Sequence, residues 1–436
     1  MTASELATAH PPEPEFQFDI GSTDDSLERM CELFARYGDI YRVYAPGRKS
    51  YTYVIHHPDD VKRVLVSNHK NYTKGVGLDR VRILLGNGIM TSEGEVWRRQ
   101  RYMMQPMFHR RVITEFARVI DAANERFIAR WETQAARGER VNVTDDMSEL
   151  TLDIVLRAVF GRDLERLGAE SGGNPFALVT KEPARNLQFA YKFRSLGKLV
   201  AALMRRRATT TEEHVDFLAM LMSARDKETG AAMSERELID EVMTLVVAGH
   251  ETTASALNWT WYLLALHPKV EARLHAEIDA APALSAPGLA QMEALPFTQQ
   301  VVNEALRLYP PGWLLSRRTL EADVLAGFEI PAGADVLLSP YLLHRHPRFW
   351  PDPDVFRPER FAAQNEAERA RFAYMPFAAG PRHCIGETFA LYEMLMHLYK
   401  VARRYRLTYL PTEPVELEAQ INLRTKNPLY MRLERR

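Results

Sequence analysis

One cysteine, Cys384, stands between two glycines in the run Phe377-Ala378-Ala379-Gly380-Pro381-Arg382-His383-Cys384-Ile385-Gly386, where a loop enters a helix expected from Ile385 to Arg404. A thiol in that position is suited to ionise. Backbone N–H groups and the positive end of the helix dipole stabilise a thiolate, and the glycines let the backbone approach a flat ligand closely. The second cysteine, Cys31, lies among Met30, Leu33 and Phe34 in a helical stretch and reads as core packing. Two cysteines so far apart in sequence make neither a disulfide framework nor a structural zinc site.

A second group with chemical potential interrupts an apolar helix: Ala248-Gly249-His250-Glu251-Thr252-Thr253. A carboxylate beside a hydroxyl can pass protons, and a Thr next to Gly can draw a helix backbone open. Taken alone, the same run equally describes an ordinary kink with a buried threonine. Two further patterns are less specific. Glu304 and Arg307 are three apart on one helix face, close to the sequence Arg357-Pro358-Glu359-Arg360-Phe361. Trp97 and Arg101 are four apart and share a face.

These residues need elements to position them. Ser234 and Glu237 form a capping box that opens a helix ending near His267-Pro268. Roughly 30 residues at about 1.5 Å each give about 45 Å, enough to cross a domain. From Val242 to Leu257 it is apolar nearly all round, so it is expected to be buried on every side. Short strands are expected at Ile40 to Tyr44, Tyr51 to Ile55, Val324 to Ile330 and Asp335 to Ser339, with helices at Trp97 to Met104, Arg111 to Arg137, Asp145 to Phe160 and Glu212 to Arg225. The reading is mainly α with minor β, in one domain over residues 1–436, with about 1–20 expected to be flexible.

The chain has 436 residues, 46% hydrophobic and 26% charged, with a formal net charge of -1. That balance favours neither disorder nor a nucleic-acid partner. Met1 to Ile20 lacks an apolar run for a signal peptide or membrane anchor, so a cytoplasmic location is expected.

The cysteine loop matches, at each fixed position, the haem-binding signature of the cytochrome P-450 family: Phe377, Gly380, Arg382, Cys384 and Gly386. The resemblance implies that family's fold, with the long helix over haem b (iron protoporphyrin IX) and a small N-terminal sheet, and Cys384 as the iron ligand. A thiolate ligand pushes electron density onto iron and favours O–O cleavage. The run Ala248 to Thr253 resembles the family's oxygen-activation motif, which implies that Ala248 and Gly249 lie close to the porphyrin, that Thr252 hydrogen-bonds the oxygen being activated, and that Glu251 relays protons. Glu304, Arg307 and Arg360 resemble its buried structural cluster. Trp97, Arg101, Arg318 and Arg382 are the implied partners of the haem carboxylates, with Phe377 shielding the sulfur. By position in the family, Ile89, Met90, Thr244, Val247, Ala248, Trp313, Leu314 and Leu423 line a predominantly apolar substrate pocket.

The resemblance thus implies a monooxygenase that uses O2 and two electrons on a small hydrophobic molecule such as a fatty acid, terpenoid or polyketide. A separate carrier, a ferredoxin or flavodoxin with its reductase, is the expected electron source. Arg98 and Arg99 with Arg110 and Arg111 are expected to form a basic patch that steers it. The alternatives are a haem-thiolate peroxygenase or isomerase without an electron partner, and a non-catalytic haem sensor. Glu251 and Thr252 favour the monooxygenase. The stretch from Phe160 to Asp216, where the family's lid helices lie, looks short and lacks the usual Pro-rich loop.

Overall fold

The computed structural model describes residues 10–181, 187–281 and 288–436, which divide into two compact units. The first comprises residues up to 78 with 300–384 and 415–427, and the second comprises 79–299, 385–414 and 428–436.

The first unit is built on a five-stranded sheet. Its strands are β1 (Ile40–Ala45), β2 (Ser50–Ile55), β3 (Tyr72–Lys74), β4 (Leu315–Thr319) and β5 (Asp335–Leu338), in the order β1-β2-β5-β4-β3. The β1–β2 hairpin pairs Ile40 with Ile55 and Ala45 with Ser50. β2 and β5 run parallel, pairing Thr52 with Asp335 and Ile55 with Leu338. Alternation along β1 and β2 feeds two apolar clusters: Ile40, Tyr53 and Ile55 pack with Val336 and Leu338, while Tyr41, Val43 and Val54 pack with Leu337 and Trp313. The expected strand Val324 to Ile330 is a hairpin of Asp323–Leu325 and Phe328–Ile330, because Ala326 and Gly327 both adopt positive φ. Residues 10–20, expected to be flexible, are held in place: Phe18 and Ile20 are buried, Arg42 donates its backbone N–H to the Pro12 carbonyl, and Arg42 Nε lies 2.8 Å from Glu13 Oε2. Residues 1–9 lie outside the described residues.

The second unit is a helix array. Its main members are α1 (Gly94–Met104), α2 (Arg110–Ala136), α3 (Val143–Phe160), α4 (Glu235–Leu266) and α5 (Glu387–Ala402). α4 packs along α3, and α5 packs along α2. The capping box of α4 is present, with the Ser234 hydroxyl accepting from Glu237 N and the Glu237 carboxylate accepting from Ser234 N. His397 joins three helices. Its Nε2 accepts from Trp261 Nε1 at 3.1 Å, so its Nδ1 carries the proton donated to Asn124 Oδ1 at 2.9 Å.

The lid stretch holds helices Asp163–Ser171, Leu178–Lys181 and Leu187–Arg207, with residues 182–186 outside the described residues. Buried Arg207 fastens it, donating to Asp163 and Asp216 at 2.7–2.8 Å and to the Phe160 carbonyl at 2.9 Å. The helix expected over Glu212 to Arg225 is shorter, Phe217–Ser223, because Asp216 is at once its N-cap and the partner of Arg207.

Candidate active site

The cysteine loop is shaped by its own backbone. Cys384 donates its N–H to the Phe377 carbonyl at 3.0 Å and His383 donates to the Gly380 carbonyl, closing a tight turn with the Cys384 side chain exposed. Gly380 has φ +72°, and a Cβ there would run into the Leu65 carbonyl, so glycine is demanded twice over. Gly386 has φ -91° and caps α5 with ordinary geometry. Phe377 and Arg382 are part-exposed on the same loop.

Behind the loop, the structure brings Glu304, Arg307 and Arg360 together. Arg307 forks onto Glu304 at 2.7 and 2.8 Å, and Arg360 Nε reaches Glu304 Oε1 at 3.3 Å, with both Glu304 and Arg307 fully buried. A residue missed in the sequence, His344, carries this cluster to the loop. Arg307 donates to the His344 carbonyl at 2.8 Å, and His344 Nε2 accepts from Met375 N at 2.9 Å. Burial, with Arg307 alongside, holds His344 down to a pKa of about 3. The ring is therefore neutral, and its Nδ1 proton points at the Arg307 carbonyl 3.2 Å away. The sequence signal was faint: a histidine following Leu342 and Leu343.

In the second unit, α4 is buried over most of its length except at one strip. Ala248 is exposed and Leu245, Val247, Gly249, Glu251 and Thr252 are part-exposed, while Val246, His250 and Thr253 are buried. Hydroxyls engage three successive carbonyls here: Thr252 bonds to Ala248 O at 2.8 Å, Thr253 to Gly249 O at 3.2 Å and Thr151 to His250 O at 3.2 Å. Such back-bonding loosens and bends a helix. Gly249 has a packing reason, since a Cβ there would lie 3.0 Å from Val155 Cγ2 on α3. His250 bonds through Nε2 to Ser148 at 3.0 Å. Trp97 and Arg101 are part-exposed on one face of α1.

Several expected residues have other employment. Arg318 forks onto Asp335 through Nε and Nη2 at 3.0 and 3.1 Å. Trp313 and Leu423 are core side chains with 2% and 0% exposure. The reason is local: Trp313 Nε1 donates to Gln420 O and Leu423 N to Pro311 O, drawing both segments into the core. Thr244 is also buried, its hydroxyl bonded to Asp240 O at 2.7 Å. Ile89, Met90, Val247, Ala248 and Leu314 keep accessible surface. The expected basic patch is largely neutralised: Arg98 pairs with Glu95 at 2.8 Å, Arg99 with Glu237 at 2.6 Å and Arg110 with Glu293 at 3.4 Å.

The donor set fits haem better than a bare ion. Among the described residues no three His, Cys, Asp or Glu side chains gather to hold a metal, so a lone thiolate can keep iron only if the remaining ligands arrive with it, as in a porphyrin. The comparison with known proteins agrees, since residues 16–180 and 191–432 match the family model "Cytochrome P450". The chain belongs to the cytochrome P450 family.

Two relatives come from Streptomyces melanosporofaciens. This P450 is 36% identical to cyclooctatin synthase, over 93% of this chain and 90% of that one, and 33% identical to cyclooctat-9-en-7-ol 5-monooxygenase, over 88% and 86%. The crystal structure of the cytochrome P450DA heme domain superposes with TM-score 0.87 at 25% identity, covering 99% of this chain and 98% of that one. The mainly α fold with its small sheet is thus the P450 fold, and the protein is a haem-dependent P450 monooxygenase that uses O2 and electrons from a redox partner. Among the described residues no helix is long and apolar enough to cross a membrane.

Proposed function

We propose that this P450 carries haem b on the Cys384 thiolate and hydroxylates or epoxidises a cyclic, largely hydrocarbon molecule of the terpenoid class. The observation that carries the reading is the exposed cysteine sulfur on a loop whose turn is fixed by hydrogen bonds and by a glycine that no other residue can replace. Of the expected substrate classes, fatty acid, terpenoid and polyketide, the relative named for a cyclic alkenol supports the terpenoid. The surfaces of Ile89, Met90, Val247 and Ala248 are apolar and suit such a skeleton.

Bound haem with a thiolate ligand supplies the activation of O2, one oxygen atom going to substrate and the other to water. The chain supplies the rest. Arg382, Arg101 and the indole N–H of Trp97 are proposed to pair with the haem carboxylates. Arg318 is proposed to join them through its Nη1, since its bonds to Asp335 use Nε and Nη2. Glu251 and Thr252, both part-exposed on α4, are proposed to hold and pass the protons that oxygen reduction consumes. A cytoplasmic location and a ferredoxin or flavodoxin donor with its reductase complete the proposal.

The test is spectroscopic. The reduced protein under carbon monoxide is expected to show the far-red-shifted Soret band of a cysteinate ligand, and Cys384→Ser to lose it. A panel of terpenoids, fatty acids and polyketides is then titrated for the low-to-high-spin Soret shift. A wild-type protein without the shifted band, or a response confined to fatty acids, would overturn the cofactor or the substrate reading respectively.

A further inference from the structure

The segment Gly86 to Ser92 bears two side chains of the candidate pocket, Ile89 and Met90, and is held to α4 by carboxylates on adjacent residues. Asn87 donates its backbone N–H to Asp240 Oδ2 at 2.8 Å, and Ile89 donates its own to Glu241 Oε2 at 3.0 Å. Glu241 is fully buried. Its carboxyl has left water to meet a backbone amide, a placement that costs free energy unless such bonds offset it.

The fit between segment and helix is close enough to forbid side chains. Gly86 has φ +71°, and a Cβ there would strike the Asp240 carboxylate. A Cβ on Gly88 would strike Thr244 Oγ1 and lie 2.8 Å from the Asp240 carbonyl. The flanks are tied as well. Gln100 Nε2 donates to Asn87 O at 2.8 Å and Thr91 Oγ1 to Gly86 O at 2.8 Å. Between these ties Ile89 and Met90 remain part-exposed, so the backbone bonds place them more than their own packing does. The same helix presents Val247 and Ala248 about two turns further on.

We propose that Asp240 and Glu241 latch this segment and thereby determine which substrates the enzyme accepts: with the latch closed Ile89 and Met90 hold one wall of the pocket in place, and with it open that wall yields to bulkier molecules. Both act as positioning residues, through the backbone of Asn87 and Ile89. The proposal rests on the monooxygenase reading for the pocket, whereas the latch itself is a property of the chain.

The experiment therefore has two readouts on the purified haem protein. Amide hydrogen exchange by mass spectrometry reports the latch without reference to haem. The ratio of dissociation constants for 4-phenylimidazole and the bulkier clotrimazole, read from Soret shifts, reports discrimination. In Glu241→Leu, exchange across residues 86–92 is expected to rise about tenfold, as for loss of a buried hydrogen bond, and the preference for the small probe to fall by a similar factor. Asp240→Asn, which keeps an acceptor oxygen, is expected to lie close to wild type. Gly88→Ala, which leaves both carboxylates intact but forces the segment off the helix, is expected to reproduce Glu241→Leu and serves if that variant does not fold. Unchanged exchange over 86–92 overturns the latch, and raised exchange with an unchanged probe ratio overturns its role in selection. A wild-type protein that binds neither probe refutes the haem reading instead, with the exchange result still standing.

Discussion

Thr252 shows how one residue can serve both backbone and chemistry. Its hydroxyl has a hydrogen that is spent on the Ala248 carbonyl at 2.8 Å, leaving oxygen lone pairs free to accept, on a helix strip that keeps accessible surface. A proton relay needs a group that can accept from one side while donating to the other. Thr252→Ala removes that group at a position that keeps accessible surface. The variant is expected to keep haem and substrate-induced spin shift while diverting most reducing equivalents into hydrogen peroxide, measured as peroxide formed per NAD(P)H oxidised; full coupling would remove Thr252 from the relay. The glutamate-arginine triad was legible in sequence because its types and spacings match a family signature. The burial of Trp313 and Leu423 was less legible, because an apolar side chain serves core and pocket alike and it is the bonds from Trp313 to Gln420 and from Leu423 to Pro311 that draw both segments inward.

Elements were readable where local chemistry marks their ends. The capping box at Ser234 and the Pro268 stop bound α4 within a residue or so of expectation. Around Asp216 the marker had a competing partner, Arg207, nine residues earlier, and a tertiary ion pair is invisible to periodicity. The helix Pro296–Leu308 carries the clearest case of such a long-range commitment. It supplies Glu304 and Arg307, whose bonds to Arg360 and, through His344, to Met375 brace the backbone leading to Cys384. Glu304→Gln keeps the shape but leaves two buried guanidiniums without a counter-charge. The expected cost is about 3–5 kcal/mol, seen as a lower denaturant midpoint and faster haem loss, with the surviving holoenzyme turning over at near wild-type rate. A variant of full stability but poor turnover would assign the triad to chemistry instead.

At the scale of the whole molecule, buried titratable groups set the pH at which folding is most favourable. Burial holds His56, His344 and His397 each down to about 3, and burial with Arg436 nearby holds His275 down to about 4. Each is neutral when folded and takes up a proton near 6.5 when unfolded, so it contributes stability that is full above that pH and is lost as pH falls toward the folded value. Glu393 acts in the other direction. Burial pushes its pKa well above 4.5, so the folded chain holds a proton that the unfolded chain has released, and that contribution fades as pH rises. Below about pH 6.5 the four histidines make stability rise with pH, while Glu393 and the carboxyls of Asp60, Asp145, Asp146 and Glu271, which burial also raises, oppose them. Above the histidine range the histidine contributions are complete and Glu393 acts in the opposite sense for as long as the folded chain keeps its proton, so stability is expected to rise steeply through the histidine range and to fall more gently beyond it. Glu393→Gln, which cannot ionise, is expected to flatten the alkaline limb of the denaturant midpoint plotted against pH and to steepen the acid one; identical limbs in variant and wild type would mean that Glu393 is ionised inside the fold.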